Sequence, residues 1–146
     1  MPFTNINSRN RGGYLEDKIK NDNAIIIYHW NSCGHCRELM PILYSLLRQE
    51  EELRNRSNIF EVEYSNFQYL PSFLTNVSAF PYIVAYSNGN KVEEFNEQRT
   101  PERLKLFISR NSSKMEGSKT SKMESSRSSR KKKLLKSYNK SNSSRV

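Results

Sequence analysis

All the cysteine and histidine of this 146-residue chain lies between positions 29 and 36, as His29, Cys33, His35 and Cys36 in "HWNSCGHCRELMP". Such a set can hold a metal, close a disulfide, or exchange one disulfide for another. Closed zinc sites want four Cys/His ligands, typically in two separated pairs. Here there is one Cys-x-x-Cys, and His35 would have to turn back onto an ion from between its own cysteines, so the ligand count speaks against zinc. A structural staple from Cys33 to Cys36 closes so short a loop that it constrains the unfolded chain little. Exchange asks for a reactive thiolate with a second thiol in reach. Where a strand runs into a helix, Cys33 sits at the helix N-terminus, and unpaired N–H groups and the positive dipole end favour its thiolate. Cys36 shares that helix face three residues on and is placed to attack a mixed disulfide on Cys33. A protonated His35 adds a second stabilising charge and makes the couple more oxidising.

The elements that must position this pair are legible on both sides. "AIIIYHW" (24–30) is a continuously apolar, β-branched run that suits a strand covered on both faces. From Gly34 the pattern becomes Leu39, Ile42/Leu43, Leu46/Leu47 and Leu53, a helical stripe ending near Arg56, with a kink expected at Pro41. "NIFEVEY" (58–64) alternates Ile59, Glu61 and Glu63 against Phe60, Val62 and Tyr64, the pattern of a second strand. "FQYLPSFLTN" predicts a short helix or turn broken around Pro71. "YIVAYS" (82–87), the turn "NGN" and "KVEEF" (91–95) predict a hairpin. Thr100-Pro101 opens a helix as N-cap and first-turn proline. A weaker helix is expected around Tyr14–Lys20. The order predicts an α/β fold with a mixed central sheet and helices on both faces.

Charge divides the chain. Residues 1–110 carry 13 Lys/Arg and 13 Asp/Glu, whereas residues 111–146 carry 11 and 2, so the whole net charge of +9 lies in the last segment. That Ser/Lys-rich stretch repeats Ser-Lys-Met-Glu and nearly lacks apolar residues. It is expected to be a disordered tail, since it buries too little surface to offset its ordering entropy. A domain over 1–110 and a tail over 111–146 follow. Seven Lys/Arg in 127–140 suit weak, non-specific binding to nucleic acid or an anionic surface, an import signal, or a merely solvated tail. No N-terminal apolar segment suggests a signal peptide, and Ala24–Tyr28 is too short to span a bilayer. A cytoplasmic location is therefore expected, with nucleus or virion as alternatives, and a monomer without a transmembrane segment.

These residues resemble the thioredoxin superfamily. Cys33-Gly34-His35-Cys36 is similar to the dithiol of protein disulfide isomerase domains, Pro41 to the family's kinking proline, and "AFPYIVAY" to the segment carrying its cis-proline. "NGNKVEEF" resembles the edge hairpin and "RTPERLKLFI" the last helix, so the likeness covers about 14–110. It implies a thioredoxin-like fold and a thiol–disulfide oxidoreductase acting on protein disulfides without a cofactor. It also implies a cis bond at Pro81 and pairing of the Phe80 backbone with an extended substrate segment. The alternative for Pro81 is an ordinary proline opening a strand. Two positions depart from the family: Ile27 stands where a buried acid is usual, and Ser32 where a tryptophan is. On the face it shares with Ile27, His29 is either a proton relay for Cys36 or a histidine without a role.

Other functions stay open on sequence alone. One is a glutaredoxin-like protein using glutathione or a bridged iron–sulfur cluster. Another is a redox-inactive adaptor that binds through its basic tail. A CGHC dithiol without a signal peptide leaves the direction of electron flow undecided between reductase, oxidase and isomerase. An asparagine-rich composition with a basic tail is compatible with a large DNA virus.

Overall fold

Six consecutive residues, Ala24 to His29, are buried, and they form most of the strand β2 (Asn23–His29) at the centre of a five-stranded sheet. The computed structural model describes residues 3–113. In chain order these are β1 (Phe3–Asn5), α1 (Gly13–Asn21), β2, α2 (Gly34–Gln49), α3 (Glu51–Asn55) and β3 (Ile59–Glu63). Two 3₁₀ turns follow (Tyr64–Tyr69 and Ser72–Leu74), then β4 (Tyr82–Ser87), β5 (Asn90–Glu94) and α4 (Pro101–Arg110). The strand order is β1-β3-β2-β4-β5. Parallel pairing joins β2 to β3 in the register Ile27↔Glu61 and His29↔Glu63, and β3 to β1. The hairpin strands β4 and β5 run antiparallel, with a bulge between Ala85 and Tyr86.

Both sheet faces are covered, as the unbroken apolar run requires. On one face Ile25, Ile27 and Ile59 pack with Leu39, Leu43 and Leu47 of α2 and Leu104 and Phe107 of α4. On the other, Ile26, Tyr28, Phe60 and Val84 pack with Leu15 and Ile19 of α1 and with Leu74. Tyr28 also donates its hydroxyl hydrogen to the Leu74 carbonyl at 2.7 Å, tying the second 3₁₀ turn to the sheet. The mixed sheet with helices on both faces is the architecture expected from the element order.

Several local devices act as their residue types predict. Thr100 accepts a hydrogen bond from the Arg103 N–H at 3.2 Å and caps α4, with Pro101 in first place. Asn88 and Gly89 both take positive φ, 49° and 89°, and close the hairpin. Pro41 lies inside α2, where it withholds an N–H from the Arg37 carbonyl.

Other features differ from expectation. β1 was not anticipated, because three residues, two half-buried and one exposed, are too few to show a period. The helical stripe does not run unbroken to Arg56: Glu50 leaves helical geometry at ψ 70°, and Leu53 is buried from the separate helix α3. Beyond the boundary placed at 110, the described residues continue to Ser113 and bond back to the domain. Ser113 exchanges two hydrogen bonds with Arg56, at 3.0 and 2.9 Å, and the Ser112 hydroxyl lies 2.5 Å from that of Ser57. The tail expected beyond these residues lies outside the described ones. Among the described residues no helix is long and apolar enough to cross a membrane.

Candidate active site

β2 ends at His29, and four residues carry the chain over to α2, whose N-cap is Cys33. The cap is the sulfur itself, which accepts a hydrogen bond from the Cys36 N–H at 3.3 Å. The Cys33 N–H donates to the Trp30 carbonyl at 2.9 Å, so the turn is closed from both ends. Cys33 is partly exposed and Cys36 is buried, and both are free thiols.

The two sulfurs are pushed in opposite directions. Burial opposes ionisation of Cys33. Hydrogen bonds from the Cys36 side chain and from the N–H groups of Cys36 and His35, with the charge of Arg37, outweigh it and hold the thiol below its ordinary value. Burial pushes Cys36 up to about 11, reinforced by its hydrogen bond to Cys33 and the charge there, while the Trp30 backbone and Arg99 pull the other way. The result is one thiol eased toward thiolate and one held neutral, side by side at one helix end.

His35 reaches Cys33 through its backbone rather than its ring. Its imidazole is exposed, with Nδ1 3.9 Å from Glu38 Oε1, and the cationic side chain acting on Cys33 is that of Arg37. Arg37 also donates to the Asn31 carbonyl at 3.0 Å. Reading the dithiol alone missed this residue, although its place immediately after Cys36 was a visible signal.

The Phe80–Pro81 peptide is cis, and the Phe80 carbonyl lies 3.6 Å from Cys33 Sγ, within reach of a thiol donor. The Phe80 ring stacks at an angle against Trp30 and Tyr64, with centroids 6.2 and 5.5 Å away. Trp30 and Tyr64 are themselves 42% and 50% exposed, so an aromatic wall stands open beside Cys33. Ser32 does not supply an aromatic ring next to the dithiol, but Trp30 does from two residues earlier.

His29 is buried, and its Nε2 lies 3.1 Å from Glu61 Oε2. Glu61 in turn accepts the Tyr44 hydroxyl hydrogen, at 2.7 and 3.0 Å from its two oxygens. Glu61 and Tyr44 were not singled out from the sequence. The signal existed: if β2 is covered on both faces, its parallel neighbour is too, and a glutamate in the middle of that neighbour has to be buried. His29, Cys36, Met40 and Tyr44 line one cavity of about 380 Å³ under the start of α2. Among the described residues no group of three or more His, Cys, Asp or Glu is gathered to hold a metal.

Residues 8–110 match the family model Thioredoxin. The chain belongs to the thioredoxin family. Its thioredoxin domain is similar to a fragment of ERdj5, the J-Trx1 fragment, at a TM-score of 0.59 and 16% identity, covering 75% of this chain and 51% of that one. It is similar too to the first thioredoxin domain of mouse protein disulfide-isomerase A4, at 0.55 and 18%, covering 73% and 72%. By sequence it is 25% identical over 100 residues to uncharacterized protein 196R of Invertebrate iridescent virus 6, which agrees with the viral setting considered above. That match covers 68% of this chain but only 58% of the viral relative's length.

Proposed function

We propose that this thioredoxin domain is a thiol–disulfide oxidoreductase acting on protein disulfides, with Cys33 as nucleophile and Cys36 as resolving thiol. The observation that carries the reading is the separation of the two sulfurs: one partly exposed and held toward thiolate, the other buried and pushed up to about 11. The Cys33 thiolate attacks one sulfur of a substrate disulfide, forming a mixed disulfide and releasing the other sulfur as thiolate. Cys36, once deprotonated, attacks Cys33 Sγ; the Cys33–Cys36 disulfide forms and the second substrate thiolate leaves. Two electrons pass to the substrate, and the reverse sequence oxidises a dithiol. An extended substrate segment rests on the aromatic wall of Trp30, Tyr64 and Phe80 and pairs with the Phe80 backbone, beside Pro81. No step uses a cofactor beyond the cysteines and an electron partner.

Insulin reduction by the full chain, with Cys33→Ser and Cys36→Ser, tests this. Wild type is expected to turn over, Cys33→Ser to lose activity to background, and Cys36→Ser to accumulate a mixed disulfide visible by mass. Turnover by Cys33→Ser at the wild-type rate would refute the assignment. The reduction potential against glutathione buffers then sets direction: a value near thioredoxin's, about −270 mV, marks a reductase, and one near or above glutathione's an oxidase or isomerase.

A further inference from the structure

A carboxylate in a protein interior needs a reason. Glu61 and His29 have side chains only 7% and 9% exposed, and removing a carboxylate so completely from water is costly. Apolar residues would fill this face of the sheet at least as stably, as Ile25, Ile27 and Ile59 do around them. The carboxylate is also fully dressed. Tyr44 donates to both Glu61 oxygens, and His29 Nε2 occupies Oε2, so the carboxylate is fixed in place from α2 and from β2. The cluster adjoins the one buried thiol of the chain, because His29 and Tyr44 share the wall of the 380 Å³ cavity with Cys36. A water occupies about 30 Å³, so protons can cross this space on water.

We propose that Glu61, His29 and Tyr44 form the proton acceptor for Cys36, with His29 as the base, Glu61 as the charge that stabilises its protonated form, and Tyr44 as a positioning residue for Glu61. With Nε2–H donated to the carboxylate, the basic lone pair of neutral His29 is on Nδ1. As the mixed disulfide resolves, the Cys36 thiol proton passes to that nitrogen. The Cys36 thiolate bonds to Cys33 Sγ, the Cys33–substrate bond breaks, and the departing substrate thiolate takes up a proton. Protonated His29 faces Glu61, so the buried site never holds an unpaired positive charge. The register Ile27↔Glu61 shows how β3 supplies a carboxylate opposite a position where β2 carries an isoleucine.

The charged and titratable groups around His29 come from three elements. α2 brings Cys36, Arg37 and Tyr44, and β3 brings Glu61 and its register partner Glu63. The loop ahead of α4 brings Arg99, whose charge acts on Cys36.

This proposal rests on the oxidoreductase reading, and its test separates the two. The full chain is loaded with thionitrobenzoate as a mixed disulfide on Cys33, and release of the chromophore is followed by stopped flow. Failure of Cys33 to form the adduct would count against the oxidoreductase reading itself. If the adduct forms, Glu61→Gln and His29→Gln are expected to release thionitrobenzoate at least about tenfold more slowly at pH 7, at the low end of general-base effects. Tyr44→Phe is expected to slow it less. Alkylation of Cys33 in the same proteins stays within about twofold of wild type, because the base acts on the other sulfur. Raising the pH toward the Cys36 value near 11 closes the gap, as hydroxide takes over the proton. Release by both glutamine variants within about twofold of wild type, with the adduct formed, would leave Glu61–His29 a structural pair and overturn the proposal. Should Glu61→Gln not fold, His29→Gln decides alone.

Discussion

Cys33 and Cys36 are three residues apart, yet the fold treats them as different chemicals, and stability should record the difference. Cys36 is kept neutral by burial, with its folded value raised from 9.0 to about 11. Its contribution is therefore complete below pH 9 and is lost as pH rises from 9 toward 11. Cys33 has the opposite sign: the fold favours its thiolate, so its contribution grows as pH approaches 9 from below. Thermal melts of the reduced protein should show a midpoint that declines above pH 9. Cys36→Ala should flatten that decline between pH 9 and 10. Above pH 10 the tyrosines held neutral by burial, Tyr28 and Tyr44, sustain it in both proteins. A decline of equal slope in wild type and Cys36→Ala across pH 9–10 would contradict the account.

The elements that hold this site differ in how firmly single residues anchor them. Gly12 caps the start of α1 at φ 89°, and a Cβ there would stand 2.9 Å from the Tyr69 carbonyl oxygen. Gly12→Ala is expected to cost about 1–3 kcal/mol, since it adds left-handed strain to a backbone contact that cannot yield. Thr100→Ala, which removes only the cap of α4, should cost about 1 kcal/mol. Urea unfolding of the two variants checks the ranking. Legibility followed the same physics. β2, the hairpin and α4 could be read because an apolar run, an Asn-Gly turn and a Thr-Pro cap are local signals. β1 could not, because its three residues gain their strand character from β3, far away in sequence. The dithiol was legible because its chemistry lies within four consecutive residues. Glu61 was overlooked: the alternation in "NIFEVEY" set it beside Ile59 and Glu63, and its burial follows only from the neighbouring strand being covered on both faces, as the structure has it against α2 and β2. Tyr44 was read as part of a helix and nothing more, since only the packing of α2 on the sheet brings its hydroxyl to Glu61.

At the scale of the whole molecule, charge and chemistry occupy different stretches of the chain. Residues 1–110 are formally neutral and contain the dithiol, while +9 lies beyond them. A chain ending at Ser113 should therefore keep full insulin-reducing activity and lose any binding to polyanions that the full chain shows, a binding that should weaken steeply with salt. A chain ending at Arg110 should be less stable than one ending at Ser113, because it gives up the bonds from Ser112 and Ser113 to Ser57 and Arg56. Melting curves of the two truncations make that comparison. Equal melting points would show that residues 111–113 add nothing to the domain.

The sheet has two edges, and both are poor templates for another chain. β1 offers only three residues, and β5 is short, follows a bulged pairing, and carries Lys91, Glu93 and Glu94. Copies of the domain crowded together thus find little backbone to zip onto. The sulfur chemistry narrows the remaining route in the same way, since Cys36 is 1% exposed and Cys33 is the other cysteine of the chain. A covalent pair of folded molecules has to be joined Cys33 to Cys33, and forming it uses up the proposed nucleophile of both. Under the proposed mechanism, self-association by that route is also self-inactivation, undone whenever Cys36 of either partner attacks the link.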